Sequence, residues 1–135
     1  MISATLDSNI YVAALEFGGI GARLLGMARS RLIRIDTSDV ILAEVRGVLR
    51  DKFGWDGYRL HFANLELRTL AQIVTPIPAL SVTDDPADNR ILECAIAAGS
   101  DCIVTHDKDL LWLREYGGVQ IIPAVEFLEA IIRRP

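Results

Sequence analysis

The chain has little cysteine, few aromatics, no long uncharged run and a minority of basic residues, and each shortage removes a class of protein. Two cysteines in 135 residues cannot staple a small secreted scaffold. Cys94 and Cys102 sit inside apolar runs with no metal-ligand spacing around them, so they read as reduced core residues of a cytoplasmic protein. The longest uncharged stretch, Thr69–Thr83, is broken by Pro76 and Pro78. It is too short and too kinked to span a bilayer, so no membrane association is expected. The first apolar stretch is cut by Asp7 and has no basic segment before it, which does not fit a signal peptide. Lys and Arg number 14 against 18 Asp and Glu, a net charge of −4. That argues against a general nucleic-acid coat and leaves room for a local basic groove.

What is present is enough for a core. Hydrophobic residues make up 51% of the chain, which argues against disorder. The length fits one domain over residues 1–135. No repeat, low-complexity segment or linker interrupts it.

Two periods alternate along the sequence. Strands are expected at 2–6, 32–35, 73–77, 103–105 and 119–122. Helices are expected at 8–17, 20–30, 39–52, 57–71, 86–98, 108–116 and 125–133. Ser38 reads as an N-cap before the stripe Ile41, Leu42, Val45, Val48 and Leu49. Asp85-Pro86 opens a helix that Gly99 ends. Strands spaced by helices predict a three-layer α/β/α sandwich on a parallel sheet, with ligands outside the carboxyl ends of the strands.

The acids fall at telling places on that sketch. Asp7 ends the first strand, and Asp107 lies just past the fourth, in "CIVTHDKDLLWL" at 102–113. Glu44 lies about 300° around its helix from Ile41, close to the apolar stripe. Asp88 is followed by Ile91, Leu92 and Ala95, so its phase is inward, where a solvated acid does not belong. Glu93 has an outward phase. Two unit charges ~4 Å apart cost roughly 4 kcal/mol at an effective dielectric near 20. A cluster of four acids therefore calls for protons, basic partners or a hard cation. Oxygen donors without Cys or His favour Mg²⁺ or Mn²⁺ over Zn²⁺, and such an ion suits phosphodiester chemistry.

Each residue also has a bland reading. Asp85 is first an N-cap, and Asp84 a solvated loop acid. Asp107 alone is a helix cap before it is a ligand, and Asp109 either suits the helix dipole or supports the site. Asn9 caps the first helix or holds Asp7. Ser8 reads as a cap rather than a nucleophile, because no histidine is placed to activate it. His61 reads as an ordinary helix residue and His106 as a turn residue. Arg46 and Arg50 fall about 140° and 180° from Ile41, on a solvated face or, alternatively, on a phosphate track that Lys108 would extend.

Four segments carry a resemblance. "LDSNIYVAAL" at 6–15, "SDVILAEVRGVL" at 38–49, "DPADNRILECAIAAGSDCIVTHDKDLL" at 85–111 and "VQIIPAVEFL" at 119–128 resemble a PIN domain, in particular the small VapC-like toxins of toxin–antitoxin pairs. The ordered set spans nearly the whole chain, with 55–80 matching only loosely. The resemblance implies a five-stranded parallel sheet, a Mg²⁺- or Mn²⁺-dependent nuclease site and single-stranded RNA as substrate. It places the family's acids on Asp7, Glu44, Asp88 and Asp107, its supporting polar residues on Asn9 and Thr105, and a less constant acid on Asp109. It further implies a cognate antitoxin and a homodimer. Two other readings stand beside the ribonuclease: a non-catalytic PIN-like scaffold for RNA or protein, and a receiver-like phosphoryl acceptor. The second lacks the usual spacing, since Lys108 directly follows Asp107.

Overall fold

The structure, a computed structural model, describes residues 1–133, so the last two positions of the expected 1–135 domain lie outside the described residues. Its elements in order are β1 (Ser3–Leu6), α1 (Ser8–Glu16), α2 (Gly19–Arg29), β2 (Arg34–Ser38), α3 (Asp39–Phe53), α4 (Gly57–Leu70), β3 (Ala71–Val74), α5 (Pro86–Ala98), β4 (Cys102–Val104), α6 (Lys108–Leu113), β5 (Glu115–Tyr116), β6 (Val119–Ile122) and α7 (Ala124–Ile132).

One sheet runs in the order β3-β2-β1-β4-β6-β5. All neighbouring pairs are parallel except β5 with β6. The chain moves outward from β1 through β2 to β3. It then returns past β1 to β4, with α5 packed against β1, β2, β3 and β4. Right-handed crossovers put that returning helix on the face opposite the helices of the outward run. The strand order therefore reverses between β1 and β4, where α/β sheets open a crevice at the carboxyl ends of their strands. Buried Ala4, Leu6, Ile35, Ile103, Val104 and Ile121 of the sheet form the core with α1, α3 and α5.

Local chemistry sets the helix ends. The Ser38 hydroxyl accepts from the Ile41 N–H at 3.3 Å, and Gly54 closes α3 in the left-handed conformation at φ 67°. Gly21 lets α2 cross close to α1: a Cβ there would lie 2.9 Å from Ala14 Cβ and 3.0 Å from the Ile10 carbonyl oxygen.

Four expectations are corrected. The sheet has six strands rather than five, because Glu115–Tyr116 forms an antiparallel hairpin with β6 instead of extending the preceding helix. Gly117 and Gly118, both at positive φ, supply the two-residue turn that this pairing needs. β2 covers Arg34–Ser38, later than expected, and β3 covers Ala71–Val74, earlier than expected, because their register on neighbouring strands overrides local hydropathy. Asp7, not Ser8 or Asn9, caps α1, its carboxylate accepting from the Ser8 N–H. Glu93 is buried, not outward: its Oε2 accepts from the N–H groups of Ala79 and Leu80 at 2.6 and 2.7 Å, so the segment before α5 folds over it.

Both cysteines are buried and free, and burial pushes the Cys94 thiol up to about 12 and the Cys102 thiol up to about 11. They are core groups without thiolate character. Among the described residues, no single helix is long and apolar enough to cross a membrane.

Candidate metal centre

The crevice at the β1–β4 reversal is a cleft of about 390 Å³. Asp7, Glu44, Asp88 and Asp107 all line it, with Asn9 and Asp85. Four elements deliver these acids. Asp7 follows β1 directly, and its N–H extends the sheet by donating to the Val104 carbonyl at 2.9 Å. Glu44 comes from α3, Asp88 from the first turn of α5, and Asp107 from the turn after β4.

The first carboxylate is held on both oxygens. Asp7 Oδ1 accepts from the Ser8 N–H at 2.7 Å, and Oδ2 accepts from the Thr105 hydroxyl at 2.6 Å. The same hydroxyl oxygen accepts from the Asp107 N–H at 2.9 Å. Asp107 Oδ1 in turn accepts from the Asp109 N–H at 2.8 Å, capping α6. The cap and site readings of Asp107 are thus compatible: one oxygen caps while the side chain stays in the cleft. Thr105 is fully buried, as its position between two acids requires.

Asp88 is different. It is only 4% exposed, yet its Oδ2 has no hydrogen-bond partner. Burial, followed by repulsion from Asp107, Asp85, Asp7 and Asp109, pushes its carboxyl up to about 7. Burial and then repulsion from Asp7 raise Glu44 as well. Asp7 is raised by burial, against the lowering hydrogen bond from Thr105.

Asp85 belongs to this cluster, although its place before Pro86 predicts a cap first and a site role second. It does cap α5, accepting from the Ala87 N–H at 3.0 Å. It also brings a carboxylate oxygen into a set with Asp88 and Asp107 whose members lie within 4.8 Å of one another. The signal was available: Asp85 and Asp88 are three apart at a helix start, which puts both on one side. Asn89 holds the entry to that helix, its amide bridging the Thr83 N–H and carbonyl at 2.9 and 3.0 Å.

The basic candidates lie elsewhere. Arg46 lines a separate groove between α3 and α4 with Leu60 and Leu67. Arg50 is exposed and paired with Asp51 at 2.8 Å. Lys108 is exposed at the start of α6. The cation that lines the acidic cleft is Lys52, which no pattern in the sequence singles out. His61 lies in α4 and His106 in the turn after β4, and both are exposed.

The donor set fits a hard divalent cation. Every donor is a carboxylate oxygen, three acids stand close enough to share one ion, and a buried oxygen of Asp88 lacks any partner. An acid cluster at the switch point of an α/β sheet is a place where such folds hold a divalent cation. A family model described as "PIN domain" matches residues 3–109, and the chain belongs to the PIN domain family. PIN domains are in general nucleases that use divalent metals.

Solved structures agree on the fold. PAE2754 from Pyrobaculum aerophilum superimposes with a TM-score of 0.65 at 14% identity, over 98% of this chain and 91% of that one. VapBC2 from Rickettsia felis, solved bound to a DNA fragment from their promoter, gives 0.61 at 17% identity, over 89% and 97%. A search of curated proteins finds no match.

Proposed function

We propose that this chain is a divalent-metal-dependent endoribonuclease that cleaves single-stranded RNA, and that it is the toxin of a toxin–antitoxin pair. The observation that carries the nuclease reading is the partnerless, buried Asp88 oxygen among three other acids. Such an arrangement is unfavourable unless a proton or a cation completes it, and an all-oxygen donor set suits a hard cation. The PIN family supports nuclease chemistry, and the likeness to VapBC2 supports an antitoxin partner. Single-stranded RNA and a homodimer follow from the resemblance to small VapC-like toxins.

In this reading Asp7, Glu44, Asp88 and Asp107 would hold Mg²⁺ or Mn²⁺, joined by Asp85, whose carboxylate oxygen stands within 4.8 Å of those of Asp88 and Asp107. When bound, the ion orients a phosphodiester, lowers the pKa of water and offsets charge on the leaving oxygen. The chain's own residues do the positioning. Thr105 fixes the Asp7 carboxylate and the turn that bears Asp107, and Asp109 anchors that turn through its N–H. Asn9, exposed on the cleft wall beside Asp7, is assigned to supporting the acids. Arg46, Arg50 and Lys108 are assigned to RNA running beyond the cleft.

The test is incubation of the purified chain with labelled single-stranded RNA in Mn²⁺ and in chelator. Cleavage in Mn²⁺ alone supports the reading. RNA that is bound but left intact under both conditions would favour a non-catalytic scaffold, and a covalent phospho-protein a phosphoryl acceptor.

A further inference from the structure

The acids occupy only part of their cleft. Much of the rest of its wall is apolar and includes Val12, Phe17, Val48 and Phe53. Phe17 follows α1 and Phe53 ends α3, and their rings meet edge to face, 5.6 Å apart at 83°. Phe17 is 74% exposed and Phe53 36%. Neither ring belongs to the hydrophobic core, so packing alone does not account for the pair.

An apolar wall suits neither a metal ion nor a phosphodiester backbone. It suits the face of a nucleobase, which stacks on aromatic side chains whatever its identity. Lys52 adjoins Phe53 in sequence, lines the same cleft, and makes no ion pair among the described residues. Acid cluster, free cation and aromatic pair are therefore continuous along one cleft.

We infer that Phe17 and Phe53 form a stacking platform for an unpaired base of the RNA strand held at the acid cluster, with Lys52 receiving an adjoining phosphate. The inference rests on the ribonuclease reading and deepens it. Only an unpaired base can present its face to the platform, so the pair selects single strands over duplexes. Stacking tolerates any base, so the platform sets strandedness rather than sequence.

The test uses two probes of about ten nucleotides, a fluorescent oligoadenylate and an abasic ribose-phosphate oligomer of equal length. Ca²⁺ replaces Mn²⁺, and each probe is checked for intactness after measurement. Wild type is compared with Phe17→Leu, Phe53→Leu, the double leucine variant and Phe17→Trp. Melting temperature and its shift with divalent ion report the fold and the acid cluster, and both stay at wild-type values. Expected is a loss of about 5- to 100-fold in oligoadenylate affinity for the double leucine variant, with abasic affinity unchanged and Phe17→Trp retained. Equal oligoadenylate affinity for wild type and the double leucine variant overturns the platform and leaves the nuclease reading standing. The platform is likewise overturned if the leucines instead disrupt self-association, which would make the wall a protein interface. Failure of wild type to bind any single strand overturns both readings.

Discussion

The Thr105 hydroxyl donates to Asp7 Oδ2 at 2.6 Å, joining residues 98 apart in sequence, and its oxygen accepts from the Asp107 N–H at 2.9 Å. One hydroxyl thus holds the Asp7 carboxylate, at the end of β1, and the backbone of the turn after β4 that bears Asp107. Its replacement separates positioning from charge, because no acid is altered.

Thr105→Val keeps the shape of the side chain and removes this link. The Asp7 oxygen then stays buried without its donor, at a cost of about 1–3 kcal/mol. Affinity for divalent ion falls about 10- to 100-fold, the usual scale for losing a group that orients a ligand. Thr105→Ser keeps both properties near wild type. Denaturant unfolding in chelator and a Mn²⁺ titration of melting temperature check the two effects; wild-type values for the valine variant would remove Thr105 from the site.

Asp7→Asn and Asp88→Asn each abolish cleavage while the fold survives. Each removes one charge from a repelling cluster, so stability in chelator holds or rises. Asp84→Asn, at an exposed position, is the control and behaves like wild type. RNA digestion and circular dichroism measure the two sides; full activity in either variant excludes that acid.

The pH dependence follows from the raised carboxyls. Asp88 titrates at about 7 in the folded chain against an ordinary value of 3.8. Between those values the native state holds more protons than the unfolded state, so stability in chelator falls as pH rises from about 4 to about 7 and then levels. Glu44 and Asp7, also raised, act in the same direction. Asp88→Asn flattens the slope. Melting temperatures across that range, with and without Mn²⁺, check the sign.

Divalent ion stabilises the fold by binding the native state alone. At a hundredfold excess over Kd the gain is about 2.7 kcal/mol. For a chain of this size that amounts to roughly 10 °C in Tm. Asp88→Asn loses most of the shift. Wild type with no shift in millimolar Mn²⁺ would count against the carboxylate metal centre.

The basic residues divide by RNA length. Lys52→Ala weakens even a short strand confined to the cleft and lowers the slope of log affinity against log salt by about one. Arg46→Ala with Arg50→Ala acts only on strands long enough to run along α3. Superimposable salt curves for that double variant on long RNA would return both arginines to the solvated surface.

The sequence by itself determined what is local. The Ser38 cap, the Asp85-Pro86 start, the Gly54 and Gly99 stops and the inward phase of Asp88 all follow from a few adjacent residues, and all are present in the fold. Strand ends and helix phase also picked out the four acids that line one cleft.

Only the tertiary structure decided what depends on neighbours distant in sequence. β1 lies beside β4, and that adjacency alone brings Thr105 to Asp7. Strand boundaries moved because hydrogen-bond register with a partner strand sets them, and hydropathy along one strand does not carry that register. The shift of β2 placed Asp36 inside the sheet, where Arg34 and Ser100 satisfy its carboxylate. Glu93 has an outward phase on its own helix, but the segment before α5 covers it and supplies backbone donors. Periodicity describes a helix against its own axis, whereas burial depends on what the rest of the chain lays over it.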